Sequence, residues 1–355
     1  MKTMKKVLAL ASTVALALIF SAGCTTTQQL QKEEIALENN DTPIIIAHRG
    51  SSGYVPEHTL LAKVMAYAQN ADYIEQDVSM TKDAQIVVMH DIFLDTNTDV
   101  KKVYPDKAEK DERYHIIDFT LDEIKQLSVH ERTDEKGKVV FNNRFPYTDE
   151  LDLKVPTLEQ EIVLIQGLNK STEKNKGLYV ELKQPKIYPD HGKEFARKVL
   201  AILAKYGYDN ADSNCYIQCF DPFLLKYIKY DLHSKLRLIQ LIGDNSADDR
   251  DIDYNEMLTK KGLKEIASYA YGIGPSISQL FTNYGKNPDL KLNNVAKWAH
   301  EAGLRIHPYT LRNDSLPKGL TYNSICDLLF KKAKIDGMFT DQPDLGVEYV
   351  TKNFK

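Results

Sequence analysis

The chain has 355 residues, with 46 basic and 50 acidic side chains and a formal net charge of −4. So small an imbalance over this length excludes a polyanion-binding surface, and with it a general nucleic-acid role. The length allows one large domain or two ordinary ones.

At the N-terminus, Lys2, Lys5 and Lys6 precede an apolar run over 7–20, and Ser21-Ala22-Gly23-Cys24 follows it. The run is too short to span a bilayer comfortably, and small residues before a cysteine mark a secretory signal. The pattern resembles a bacterial lipoprotein signal. It gives a signal peptide over 1–23, lipid on Cys24, and a polar, flexible tether over 24–41. The expected localisation is the periplasm or cell surface, with the lipid anchored in a bacterial membrane. A folded domain over 42–355 follows. It contains Cys215, Cys219 and Cys326, which read as small buried apolar residues.

The domain opens on Ile44-Ile45-Ile46-Ala47, a short strand buried on both faces, which ends on His48 and Arg49 before Gly50 turns the chain. Thr59 then caps a helix whose apolar stripe reads as Leu60, Leu61, Val64, Met65 and Ala68. Further strand-like runs fall at 72–78, 177–183, 215–220, 236–242, 271–274, 305–309 and 336–340, with helical patterns between them. The helix before the 177–183 strand starts at the capping box Thr157-Leu158-Glu159-Gln160. Eight strands alternating with helices predict an α/β fold, a (β/α)8 barrel. An open doubly wound sheet is the alternative, but no Gly-rich phosphate loop follows the first strand.

The run 85–90 lies too close to 72–78 for a helical crossover, so it reads as a hairpin arm. A two-residue turn at Asp83-Ala84 pairs Lys82 with Gln85 and carries Asp77 opposite His90. The segment of about 92–156 reads as a small inserted subdomain on the site's face, and 245–262 as a second polar loop.

In Tyr73-Ile74-Glu75-Gln76-Asp77-Val78 the strand period points Glu75 and Asp77 to one face. In Tyr179-Val180-Glu181-Leu182-Lys183 it does the same for Glu181 and Lys183. Each carboxylate alone reads best as paired with Arg49 or Lys183. Three together, beside two histidines and two cations, read as a hard-oxygen site for Ca²⁺, with Mg²⁺ as the alternative. Metal, Arg49 and Lys183 suit a phosphate group, His48 and His90 suit general acid and base, and no activated Ser or Cys nucleophile is evident. The remaining histidines read as incidental. His58 is expected to pack while Glu57 braces Arg49. His115, His130, His191, His233 and His300 are expected to be solvated, and His307 lies near a strand end.

His48-Arg49-Gly50, Pro56-Glu57-His58-Thr59, Glu75-Gln76-Asp77-Val78, Val88-Met89-His90-Asp91, Glu181-Leu182-Lys183, Gln218-Cys219-Phe220-Asp221, Gly272-Ile273-Gly274-Pro275, His307-Pro308-Tyr309-Thr310 and Gly337-Met338-Phe339-Thr340-Asp341 occur in that order. In these motifs the chain resembles the glycerophosphodiester phosphodiesterase family of the periplasmic or lipoprotein kind. The resemblance implies a TIM-type barrel of the phosphodiesterase kind and Ca²⁺ on Glu75, Asp77 and Glu181. It implies catalysis by His48 and His90, phosphate contacts from Arg49 and Lys183, and a glycerol side lined by Gln218, Phe220 and Tyr309. Relatives often carry tryptophan near the position of Tyr309, so that wall is expected to differ. The implied substrates are glycerophosphodiesters such as glycerophosphocholine and glycerophosphoethanolamine. Two other readings stand beside it: a surface lipoprotein that binds a host protein, and a phospholipase acting on intact lipids. The charged insertion offers no apolar rim for the latter. Oligomeric state is not legible.

Overall fold

The computed structural model describes residues 42–148, 150–245, 251–285 and 289–355; the expected signal peptide, Cys24 and tether lie outside these. Eight parallel strands form the barrel wall: β1 (Ile44–Ala47), β2 (Tyr73–Met80), β4 (Gly177–Leu182), β5 (Cys215–Cys219), β6 (Arg237–Ile242), β7 (Gly272–Pro275), β8 (Arg305–Ile306) and β9 (Gly337–Thr340). Their order is β8-β7-β6-β5-β4-β2-β1-β9. The short β8 leaves no full ladder to β9, and backbone bonds close the gap: Asp336 N to Ile306 O at 3.0 Å, Phe339 N to Pro308 O at 3.0 Å and Leu311 N to Phe339 O at 2.9 Å.

Strand alternation divides the core in two. Outward residues such as Ile45, Ala47, Ile74, Val78, Val180 and Ile217 pack against the surrounding helices. Inward residues Ile46, Tyr73, Tyr179, Tyr216, Ile239 and Phe339 plug the barrel. Tyr179 stacks on Tyr216 at 4.8 Å and meets Phe339 edge-on at 4.9 Å. Such aromatic pairs contribute roughly 0.5–1.5 kcal/mol beyond the area they bury. Above the plug the strand register sets Asp77, Glu181 and Gln218 abreast on β2, β4 and β5.

Three expectations are corrected. Helix α1 (Leu60–Ala68) buries Ala62, Lys63, Ala66 and Tyr67 and exposes Leu60, Leu61 and Val64. The small alanines let the helix lie close to the sheet, and buried acceptors draw Lys63 inward. The hairpin arm β3 (Ile86–Val88) pairs antiparallel with β2 as Val78↔Val88 and Met80↔Ile86. Its turn therefore holds three residues and sets Met89, not His90, opposite Asp77, with Met89 N donating to Asp77 O at 2.8 Å. Ala84 at φ 56 and the Thr81 hydroxyl, which accepts from Gln85 N at 2.9 Å, make that turn. The stretch 245–262 also carries short helical turns, Tyr254–Met257 and the start of Lys260–Ile266, capped by Asp253 and Thr259.

The segment after β3 gathers a cluster of its own, with Leu94, Val100, Tyr114, Ile116, Phe119, Ile124, Leu127 and Val129 packed around Val87 and Met89. The chain returns to the barrel through α2 (Leu158–Thr172), which starts at the Thr157 capping box. Cys215, Cys219 and Cys326 are buried and free.

Candidate active site

The barrel's C-terminal rim carries the chemistry. At the end of β1, Arg49 takes φ 58 and Gly50 φ 86. A Cβ on Gly50 would stand 2.8 Å from the Ala62 carbonyl carbon, so only glycine fits this turn. The turn lets Arg49 N donate to Glu75 Oε2 at 2.7 Å, while its guanidinium reaches Glu57 at 2.8 Å and approaches Asp77 at 3.7 Å. Glu57 thus braces Arg49 as the sequence suggested.

Glu75, Asp77 and Glu181 bring one oxygen each within 4.8 Å of one another. All three are buried, and their ionisation is unequal. Burial, then Asp77 and Glu181, push Glu75 well above the usual carboxylate range. Burial, with Asp77 beside it, carries Glu181 up to about 8 despite Lys183 at 2.6 Å. Burial also opposes ionisation of Asp77, but Lys183 and His58 outweigh it and hold Asp77 low. Lys63 Nζ donates to His58 Nδ1 at 3.0 Å, which leaves His58 Nε2–H to donate to Asp77 Oδ2 at 2.7 Å. His58 is therefore a positioning group rather than simple packing.

Asp77 Oδ1 and Gln218 Oε1 are buried without a hydrogen-bond partner. Gln218 donates its amide to Glu75 Oε1 at 2.9 Å. Crowded carboxylates with an orphaned oxygen are what a hard divalent cation relieves, so the residues present fit a metal.

His48 Nδ1 donates to Asp341 Oδ1 at 2.6 Å, which turns Nε2 toward Glu75, 3.9 Å away. Burial, then Arg49, lowers His48 to about 4, so its ring is neutral near pH 7. His90 follows the same plan, with Nδ1 donating to Asp91 Oδ1 at 2.5 Å. It is also pushed down, by burial first and then by Arg49 and Lys183.

His48, Arg49, Glu75, His90, Glu181 and Lys183 line a cavity of about 150 Å³ with Gln218, Phe220, Tyr309 and Arg312. Phe220 and Tyr309 meet edge-on at 5.9 Å, and the Tyr309 hydroxyl is spent on Ile242 O at 2.9 Å, so the pair presents ring surface. On the His90 side the cavity opens into a groove of about 760 Å³ between Ile92, Phe93 and Val140 of the insertion and Pro185 beyond β4.

The ten residues predicted for the site thus come to one rim, with Asp77 buried beside Glu75 and Glu181 behind the cavity lining. Sequence reasoning missed the partners that orient them. Asp341 and Asp91 stood inside quoted motifs without a role, and a carboxylate next to a histidine was the available signal. Lys63, Arg132, Arg144 and Arg312 gave no signal. His130, expected in solvent, is buried, where Nδ1 donates to Glu131 O at 2.7 Å. His307 is buried in the plug, bonded to the Tyr179 hydroxyl at 2.9 Å, and does not line the cavity.

A sequence model described as the glycerophosphoryl diester phosphodiesterase family matches residues 48–345. A glycerophosphodiester phosphodiesterase of Haemophilus influenzae is 42% identical over 326 residues, covering 86% of this chain and 89% of that protein. One from Treponema pallidum is 35% identical over 328 residues, covering 87% and 92%. Among solved structures, an Oleispira antarctica phosphodiesterase in complex with the product sn-glycerol-3-phosphate has the same fold. Its TM-score is 0.59 at 20% identity, over 87% of this chain and 97% of that one.

Proposed function

The chain belongs to the glycerophosphoryl diester phosphodiesterase family, and from that premise we propose how its cleft performs the reaction. The enzyme hydrolyses glycerophosphodiesters, deacylated phospholipids, to sn-glycerol 3-phosphate and an alcohol. One observation carries the assignment of roles: two histidines, each held by an aspartate, face one cavity lined by Glu75 and Glu181 of the carboxylate triad and by Arg49 and Lys183.

Glu75, Asp77 and Glu181 hold a divalent cation, which we take as Ca²⁺ with Mg²⁺ as the alternative, and which supplies Lewis-acid charge at the phosphate when bound. Arg49 and Lys183 bind the phosphoryl oxygens and stabilise charge developing there. Gln218, Phe220 and Tyr309 line the glycerol side. His48, neutral and held by Asp341, takes the proton of the glycerol 2-hydroxyl through Nε2. That oxygen attacks phosphorus, the bond to the alcohol breaks, and His90 gives the departing oxygen its proton. An anion bound between Arg49 and Lys183 offsets the two charges that, after burial, push His90 down, and Asp91 on Nδ1 favours the proton it has to carry. Water then opens the cyclic glycerol phosphate with the histidine roles reversed. The product is glycerol 3-phosphate whatever the alcohol, because the nucleophile belongs to the glycerol.

The protein is anchored through lipid on Cys24 at the periplasmic or outer surface of a bacterial membrane. The support is the sequence alone, since 1–41 lies outside the described residues. Cys24→Ser is expected to convert a detergent-partitioning protein into a soluble one of normal activity.

The test of function is release of glycerol 3-phosphate from glycerophosphocholine. EDTA is expected to abolish it and Ca²⁺ or Mg²⁺ to restore it. Glu75→Ala and Glu181→Ala are expected to stay folded and lose both metal and turnover. Normal cleavage of an analogue without the 2-hydroxyl would replace the cyclic route by attack of water.

A further inference from the structure

The inserted segment reaches back to the site through two arginines. Arg132 sets Nη2 and Nε on the two oxygens of Glu57, at 2.6 and 3.1 Å, and Nη1 on Asp91 Oδ2 at 2.7 Å. Arg144 sets Nη2 on Asp341 Oδ2 at 2.7 Å, Nη1 on Ser52 O at 3.2 Å, and Nε on Asp314 at 2.7 Å. Both side chains are largely buried, 14% and 3% exposed.

The two contacts share one pattern. Asp91 gives Oδ1 to His90 and Oδ2 to Arg132. Asp341 gives Oδ1 to His48 and Oδ2 to Arg144, with Arg312 as a second donor to that oxygen at 2.8 Å. Each carboxylate is thus a bridge, with a histidine on one oxygen and an arginine of the insertion on the other. The guanidinium fork itself grips Glu57 in the case of Arg132 and Asp314 in the case of Arg144, and so aims one remaining N–H at Asp91 or Asp341, which a lysine cannot do. The carboxylate plane in turn sets the ring orientation and tautomer of its histidine. Arg132 also shares Glu57 with Arg49, so the same side chain steadies a phosphate contact. The barrel supplies the histidine of one pair and the hairpin that of the other, yet the arginine behind both carboxylates comes from 92–156.

We propose that Arg132 and Arg144 are positioning residues, and that the insertion is a latch which aligns both acid–base pairs when it seats on the barrel rim. This rests on the roles given to His48 and His90 above.

The test compares Arg132→Ala and Arg144→Ala on glycerophosphocholine and on p-nitrophenyl glycerophosphate, whose leaving group departs without a proton. In single-turnover release of the alcohol, Arg132→Ala is expected to lose on the order of 10²-fold on the first and about tenfold less on the second, where only the support of Arg49 through Glu57 is lost. Arg144→Ala is expected to lose comparably on both, since the base is needed whatever leaves. Arg132→Lys and Arg144→Lys keep the charge without the fork and are read in the same way if the alanine variants do not fold. Substrate-free ¹⁵N-histidine NMR supplies the second readout. Wild-type His48 and His90 should carry the proton on Nδ1, and each variant should show a tautomer mixture at its own histidine alone. Unchanged tautomers overturn the latch whatever the kinetics. Changed tautomers with a loss by Arg132→Ala that ignores the leaving group overturn its link to His90. Full activity in His48→Ala and His90→Ala would instead overturn the catalytic reading.

Discussion

Asp341→Asn tests the pairing on which the base depends. The carboxylate accepts from His48 at 2.6 Å, Arg144 at 2.7 Å and Arg312 at 2.8 Å, and these partners hold it well below the usual range against the effect of burial. Asparagine keeps the volume but offers one acceptor. If its oxygen faces His48, the amide NH₂ faces two guanidinium groups. If the amide is reversed, NH₂ faces Nδ1, the ring must move its proton to Nε2, and the lone pair that takes the substrate proton is gone. The loss expected is that of one acid–base partner, on the order of 10²–10⁴ in kcat, equal to about 3–5 kcal/mol of barrier. Stability should fall less than the roughly 3–5 kcal/mol typical of breaking a buried pair, because Arg144 keeps Asp314 and Arg312 is 31% exposed. Saturating glycerophosphocholine, scored as glycerol 3-phosphate released, gives the rate, and urea unfolding gives the stability. A variant within threefold of the wild-type kcat would refute the reasoning.

The inverted face of α1 predicts that Lys63→Ala costs about 3–5 kcal/mol, since it strips His58 and the Glu75 carbonyl of a donor and leaves Glu161 unpaired. Leu61→Ala, on the exposed face, should stay within about 0.5 kcal/mol in the same urea titration; the opposite ranking would restore the apolar stripe. His307 predicts a pH effect. Burial lowers it from 6.5 to about 4, so the unfolded chain takes up the proton first as pH falls. Its contribution to stability is therefore full above pH 6.5 and declines by about 1.4 kcal/mol per pH unit on acidification toward its folded value. The stability gap between wild type and His307→Gln should narrow by about 2 kcal/mol from pH 6.5 to pH 5, and a gap constant with pH would contradict this.

The fold was legible because its signals are local. Ile44 to Ala47 reads as a buried strand, and the alternation in Glu75, Asp77, Glu181 and Lys183 fixes which side chains face inward. The same rule failed on α1, where apolar spacing pointed to Leu60, Leu61 and Val64. Pattern reading cannot see that Lys63 has buried acceptors on β2, on the neighbouring helix α2 and on His58. The hairpin register slipped by one because the turn rests on Ala84 at positive φ, which alanine rarely adopts. Arg132 and Arg144 were invisible for another reason. They lie in irregular segments with no period, and their partners Asp91, Glu57 and Asp341 are 41, 75 and 197 residues away.

The seam where β1 meets β9 also sets the order in which the molecule becomes an enzyme. His48 and Asp341 lie 293 residues apart, and the strands that carry them pair only when the first and last strands of the barrel join. Contacts of such separation form after local ones, because the loop-closure entropy comes before the gain. The carboxylate triad needs only β2 and β4, and the β2–β3 hairpin is local. A chain folded everywhere but at its final strand would hold the floor of the site and His90, yet its base would lack the partner that aims it. Hydrolytic competence is in this sense the last property the folding chain acquires.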